Sequence, residues 1–187
     1  MADHEKKKSK LAQKIKNPRE YLNDFAANDS GGYSYTGKRY TVDRHFAFYG
    51  DVYRKLLTGG IVMLMISIGS GMIDAAGATG AFYVIIPFIG EVSALFAILW
   101  NVSRLISQGE EVKEYAFKKT NLWIPAGATM LMFFAMTGLL MSAAYIITHG
   151  FEDKVFKCVL YLALKTVTAF LAFEYKKYYN TVQWSAY

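Results

Sequence analysis

The sequence predicts an all-α integral membrane protein with four transmembrane helices, preceded by a cytoplasmic N-terminal tail that holds a short helix and a small β-hairpin. Three observations lead there. Hydrophobic residues fill 53% of the 187 positions, and nearly all the charge lies outside four apolar blocks at about 56–76, 81–105, 122–148 and 155–173. Each block has roughly the 20 residues a helix needs to cross a bilayer. Stretches such as IVMLMISIG and ATMLMFFAM are apolar all round, whereas a water-soluble bundle keeps a polar stripe on every outer helix.

The third observation is where the basic residues fall. Of 21 Lys and Arg, 12 precede the first block; Arg104, Lys113, Lys118 and Lys119 flank the second connection, and Lys176 and Lys177 follow the last block. The connection at 77–80 carries none, and Lys154 and Lys157 are offset by Glu152 and Asp153. The positive-inside rule therefore places the tail, the central loop and the C-terminus in the cytoplasm of a multi-pass cell-membrane protein. This divides the chain into a basic and aromatic tail with its juxtamembrane segment (1–55), the four-helix domain (56–175) and a C-terminal tail (176–187). Trp100, Trp123, Tyr175, Tyr178 and Tyr179 then reach the inner headgroup level as an aromatic belt. The net charge of +6 reads as a topology signal, with no nucleic-acid partner implied.

Within the tail, residues 4–16 (HEKKKSKLAQKIK) are strongly basic and suit anionic lipid headgroups, at about 1 kcal/mol per basic residue near the surface. Asn17, Pro18 and Glu20 form a helix-start signal, predicting a helix to about Ala27 with Tyr21, Leu22 and Phe25 along one side. After the break at 28–32, residues 33–42 (YSYTGKRYTV) alternate tyrosines with small polar residues and predict a hairpin turning near Gly37. A two-stranded hairpin is marginal alone, so Tyr33, Tyr35 and Tyr40 are candidate docking residues for a protein partner or a second copy. Residues 43–55 predict a surface helix on which Phe46, Tyr49, Val52 and Tyr53 lie in the interface. Gly32, Gly37 and Lys38 have the spacing of a phosphate loop, but Arg39 replaces the magnesium-holding hydroxyl and the tail is too short for the α/β domain such a loop requires.

Among the spans, Ser67 and Gly71, Gly90 and Ala94, and Gly138 and Ser142 are small pairs four apart, which let helix backbones approach closely. Gly60-x-x-Met-Leu-Met recurs as Gly127-x-x-Met-Leu-Met, offset by 67 residues, with Gly71 over Gly138 and Ala76 over Ala143. A repeat of two helical hairpins would give that pattern. Met63 and Met65, like Met130 and Met132, point to different faces of their helices, which favours packing over copper binding. The single cysteine, Cys158, excludes an intrachain disulfide and reads as a small buried hydrophobe. The three histidines sit in the tail, the juxtamembrane segment and the outer loop, so no Ser/His/Asp constellation shares a depth. His45 has no partners at ligand spacing, and Asp74, His149, Glu152 and Asp153 fit no metal-ligand pattern. No catalytic residue, metal or cofactor is expected, and the chain does not read as an enzyme.

The chemistry that remains is an intramembrane charge pair. Glu91 and Lys165 each lie about ten residues from the outer end of a span, hence ~15 Å deep at 1.5 Å per residue. A buried charge needs an answering one. Tyr161, Lys165, Thr168, Ala169 and Ala172 share one face, and Pro87, one turn before Glu91, frees a backbone carbonyl; Pro87, Tyr161 and Thr168 are the expected lining. Two readings follow. As a static lock, the pair fits a small non-enzymatic partner or assembly subunit of a membrane complex; as a titrating site, it fits a proton- or cation-coupled transporter or channel subunit.

Overall fold

The computed structural model describes residues 24–27, 33–43, 47–151 and 154–186. Its frame is four helices, α1 (Tyr49–Gly71), α2 (Phe82–Ile106), α3 (Glu114–His149) and α4 (Val155–Thr181). All four are long and apolar enough to cross a membrane. They pack in a closed ring in which α2 meets α3, α3 meets α4, and α1 closes against both α2 and α4. Leu56, Met63, Leu95, Ile98, Ile124 and Leu131 fill the centre with at most 1% exposure. Large apolar side chains such as Phe82, Trp100, Phe133 and Phe156 stay outside, each more than half exposed. That inside-and-outside apolarity is compatible with a helical membrane bundle.

The breaks have local causes. Between α1 and α2 the chain turns through Ala76 and Gly77, both at positive φ, a region in which only glycine is unstrained. Gly150, at φ 74, ends α3, and its N–H donates to the Ile146 carbonyl at 2.8 Å.

Five short strands collect at one end of the bundle: β1 (Phe25–Ala27), β2 (Tyr33–Tyr35), β3 (Arg39–Val42), β4 (Val112–Lys113) and β5 (Trp184–Ala186). Two expectations for the tail are corrected here. Phe25–Ala27, expected as the end of a helix, is a strand paired antiparallel with β2, Phe25 opposite Tyr35 and Ala27 opposite Tyr33; the start of that helix, the basic stretch and His45 lie outside the described residues. The hairpin about Gly37 does not form either. β3 instead lies between β4 and β5, with Tyr40 opposite both Val112 and Ala186 and Val42 opposite Trp184. The reason is visible in the contacts. The Thr36 N–H donates to the Asp24 carbonyl at 2.7 Å, while the Tyr35 hydroxyl donates to the Lys38 carbonyl and accepts from the Glu114 N–H, both at 3.1 Å. Tyr40 stacks on Phe117 with ring centres 4.1 Å apart, and Phe117 meets Trp184 at 5.2 Å. Arg39 completes the seam with an ion pair to Glu111.

Two further expectations change. Residues 49–55 are the first turns of α1, not a separate surface helix, because Val52 and Tyr53 turn into the core with 0% and 5% exposure. Tyr175 and Tyr179 leave the aromatic belt for the same reason: both are buried, and the Tyr175 hydroxyl donates to the Leu56 carbonyl at 3.1 Å. Trp100 and Trp123 do face outward. At the C-terminal end α4 runs on to Thr181 and β5 follows it.

Candidate functional site

Glu91 and Lys165 meet. The Lys165 ammonium donates to both carboxylate oxygens of Glu91, at 2.8 Å to Oε1 and 2.9 Å to Oε2, and both side chains are 0% exposed. Equal depth on α2 and α4 makes the contact possible, and the small residues around it make room. Ser67 on α1 donates its hydroxyl to Glu91 Oε2 at 3.0 Å. On α3, Gly138 lies so close that a Cβ there would stand 3.3 Å from Oε1 and 3.6 Å from Pro87 Cβ. One carboxylate therefore touches all four helices. The Phe88 and Tyr161 rings cap the ammonium, their centres 5.0 and 5.4 Å from Nζ, an arrangement that stabilises a cation through the ring quadrupole.

The surroundings are lopsided. Toward the strand-bearing end, Leu95 and Ile98 on α2 and Leu131 and Ala135 on α3 are fully buried and apolar. Toward the other end stand Ser67, Ser70, Ser142 and Tyr161, all buried. Ser70 donates to the Ser67 carbonyl at 2.7 Å, while the Ser142 hydroxyl is buried beside that of Tyr161. Of the expected lining, Tyr161 reaches the site and Pro87 packs at its edge beside Gly138. Thr168 shares the buried face, but its hydroxyl donates to the Leu164 carbonyl of its own helix at 3.0 Å. Among the described residues the ammonium has no polar partner besides Glu91, so the carbonyl freed by Pro87 does not bond to it.

The six small residues chosen for packing fall at helix contacts. A Cβ on Gly71 would strike the Phe88 ring that caps Lys165, and one on Gly90 would stand 2.6 Å from the Phe134 ring. Ala94 is buried against the backbone approach at Gly127, and Ser142 is fully buried. The glycines matched at the 67-residue offset all approach α2: Gly60 meets Leu99, Gly127 meets Ile98, and Gly71 and Gly138 meet Phe88 and Glu91.

Two roles were missed by sequence reasoning, the Ser67 donor and the Gly138 contact with the carboxylate. The first left a signal. Counted back from Ala76, Ser67 lies nine residues in, the depth of Glu91. The second left none, because a glycine carries no chemistry by which to be found.

At the other polar sites, Asp74 accepts from Lys154 Nζ at 2.8 Å and from the Thr79 hydroxyl at 2.6 Å, and these bonds hold its carboxyl below the usual aspartate range. His149 does not join it; its ring stacks on Tyr145 at 4.3 Å. Glu152 and Asp153 lie outside the described residues. Of the three docking tyrosines, Tyr33 projects outward at 78% exposure, whereas Tyr35 packs edge-on to Phe25 and Tyr115 and Tyr40 stacks on Phe117. Comparison with protein families, characterised proteins and solved structures finds no match.

Proposed function

We propose that the chain is a multi-pass membrane protein with both ends and its central loop in the cytoplasm, acting as a non-enzymatic partner or assembly subunit of a membrane complex. The observation that carries this reading is the contact of one fully buried ion pair with all four helices. A carboxylate whose two oxygens are both taken by an ammonium, with a serine added, is electrically answered in place. Moving either partner would leave an uncompensated charge in a low-dielectric interior. Such a centre suits a rigid body that presents surfaces. The cytoplasmic surface is the strand assembly, from which Tyr33 projects.

The test is affinity purification from native membranes in mild detergent, with Tyr33→Ala as the control. A stoichiometric partner that the native chain retains and Tyr33→Ala loses, at unchanged thermal stability, supports the reading. Equal recovery with the variant removes the docking role of Tyr33, and a chain that purifies alone removes the subunit reading.

A second reading has its own observation: the Ser142 and Tyr161 hydroxyls are buried side by side near the pair, on its polar side. That favours a proton- or cation-coupled carrier or channel subunit, with protons exchanged at Glu91 from the outer side. Purified protein that moves protons or cations across liposomes unaided, and stops doing so as Glu91→Gln, would establish it.

A further inference from the structure

α1 and α4 make the least extensive contact of the four neighbouring helix pairs and leave a groove of about 310 Å³ between them. Its upper wall is apolar, formed by Val62, Met63 and Leu171, and Gly59 forms the narrow part, where a Cβ would lie 3.2 Å from the Tyr175 ring. At its mouth stand two opposite charges, Lys55 and Glu174. They sit at one level: Lys55 is six residues from the start of α1 and Glu174 seven from the end of α4, or ~9 and ~10 Å from the helix ends. Lys55 Nζ lies 5.7 Å from the centre of the Tyr178 ring, and among the described residues neither charge has an ionic partner. The lysine is exposed and the glutamate half-buried.

We propose that this groove binds an ethanolamine phospholipid of the inner leaflet, its phosphate on Lys55, its ammonium on Glu174, and an acyl chain along Val62 and Leu171. The charges select the headgroup. A lysine attracts a phosphate as a point charge, and a carboxylate beside it disfavours a lipid that is only anionic. A choline headgroup has the same formal charges as ethanolamine, but its trimethylammonium has no N–H to donate to Glu174, and charge-assisted hydrogen bonds are the stronger kind. The apolar wall above the mouth continues into hydrocarbon depth, as an acyl chain does.

The proposal rests on the membrane reading, and the test separates the two. Delipidated full-length protein is titrated, under native mass spectrometry, with ethanolamine, choline and glycerol phospholipids of one acyl composition. Ethanolamine lipid is expected to bind roughly tenfold more tightly than either of the others, the effect of one charge-assisted hydrogen bond. Glu174→Gln should abolish its advantage over choline lipid, and Lys55→Met should weaken both. Val62→Phe fills the groove from an exposed position and should reduce lipid binding while leaving helix content unchanged. Equal affinity for ethanolamine and choline lipids, or a preference that survives Glu174→Gln, overturns the proposal. Carbonate extraction of cell membranes is run in parallel: a chain that stays in the membrane and shows no preference refutes the lipid site alone, and a chain that is extracted refutes both readings.

Discussion

Glu91 is the residue on which the others converge, and its surroundings predict a specific pattern of mutant stabilities. Glu91→Gln leaves a buried ammonium without its counter-charge and Lys165→Met leaves a buried carboxylate, so each is expected to cost about 3–5 kcal/mol. The double variant should recover most of that loss, because replacing both partners removes the uncompensated charge. Thermal unfolding in detergent of the four proteins of the cycle measures this, and additive losses would mean that the two charges do not interact. Asp74 gives a prediction in pH. Hydrogen bonds from Lys154 and Thr79 lower its folded-state pKa, so the folded chain binds this proton less readily than the unfolded one. The stabilisation is complete above the unfolded aspartate value of about 3.9 and is lost as the pH falls through the folded one. Asp74→Asn should therefore lower the unfolding temperature at neutral pH and flatten its fall below about pH 4. An unchanged acid slope would show that the contact between the first loop and the start of α4 contributes nothing measurable.

At the scale of elements, the helices are held by small residues and the strands by aromatic ones. Gly90 admits the Phe134 ring of α3, and neither backbone can retreat without opening the pair next door. Gly90→Ala is expected to destabilise the bundle by about 1–3 kcal/mol, the usual cost of overpacking a closed contact. An unfolding temperature equal to that of the native chain would show that the α2–α3 contact is slack. The strands illustrate the opposite dependence on context. Tyr35 and Tyr40 were legible as half-buried strand positions from their alternation. Their partners were not, because Glu114, Tyr115 and Phe117 lie more than 70 residues away in sequence. A local reading pairs neighbouring strands across the nearest glycine; here the rings of α3 and β5 take that place, Phe117 stacking on Tyr40 and meeting Trp184.

Over the whole molecule, the strand assembly joins the N-terminal segment, the connection between α2 and α3 and the C-terminal strand at one end, while the loop with Asp74 and the start of α4 lie at the other. Three segments marked as cytoplasmic by their basic residues thus share one end of the fold. The proposed orientation predicts labelling. In a Cys158→Ala background, Gly80→Cys should react with an impermeant thiol reagent applied outside intact cells and Ser107→Cys should not. Neither position is buried, so reactivity reports sidedness. The reverse pattern would invert the topology.

The sequence by itself determined the four apolar helices, because a run of some 20 apolar residues has few other structures open to it, and it determined that Glu91 and Lys165 share a depth, because depth follows from residue count along a helix. Depth does not give azimuth. Which helices are neighbours, and so whether the two charges face each other, was decided by the packing of Gly71, Gly90 and Gly138 against the rings and the carboxylate of α2 and α3. Ser67 joined the pair, and Thr168 did not, for the same reason of rotation about a helix axis. The strands were decided almost wholly by tertiary structure. Their ladders join segments that only the folded bundle brings to one end, and a strand of three or four residues has too few contacts of its own to choose a partner.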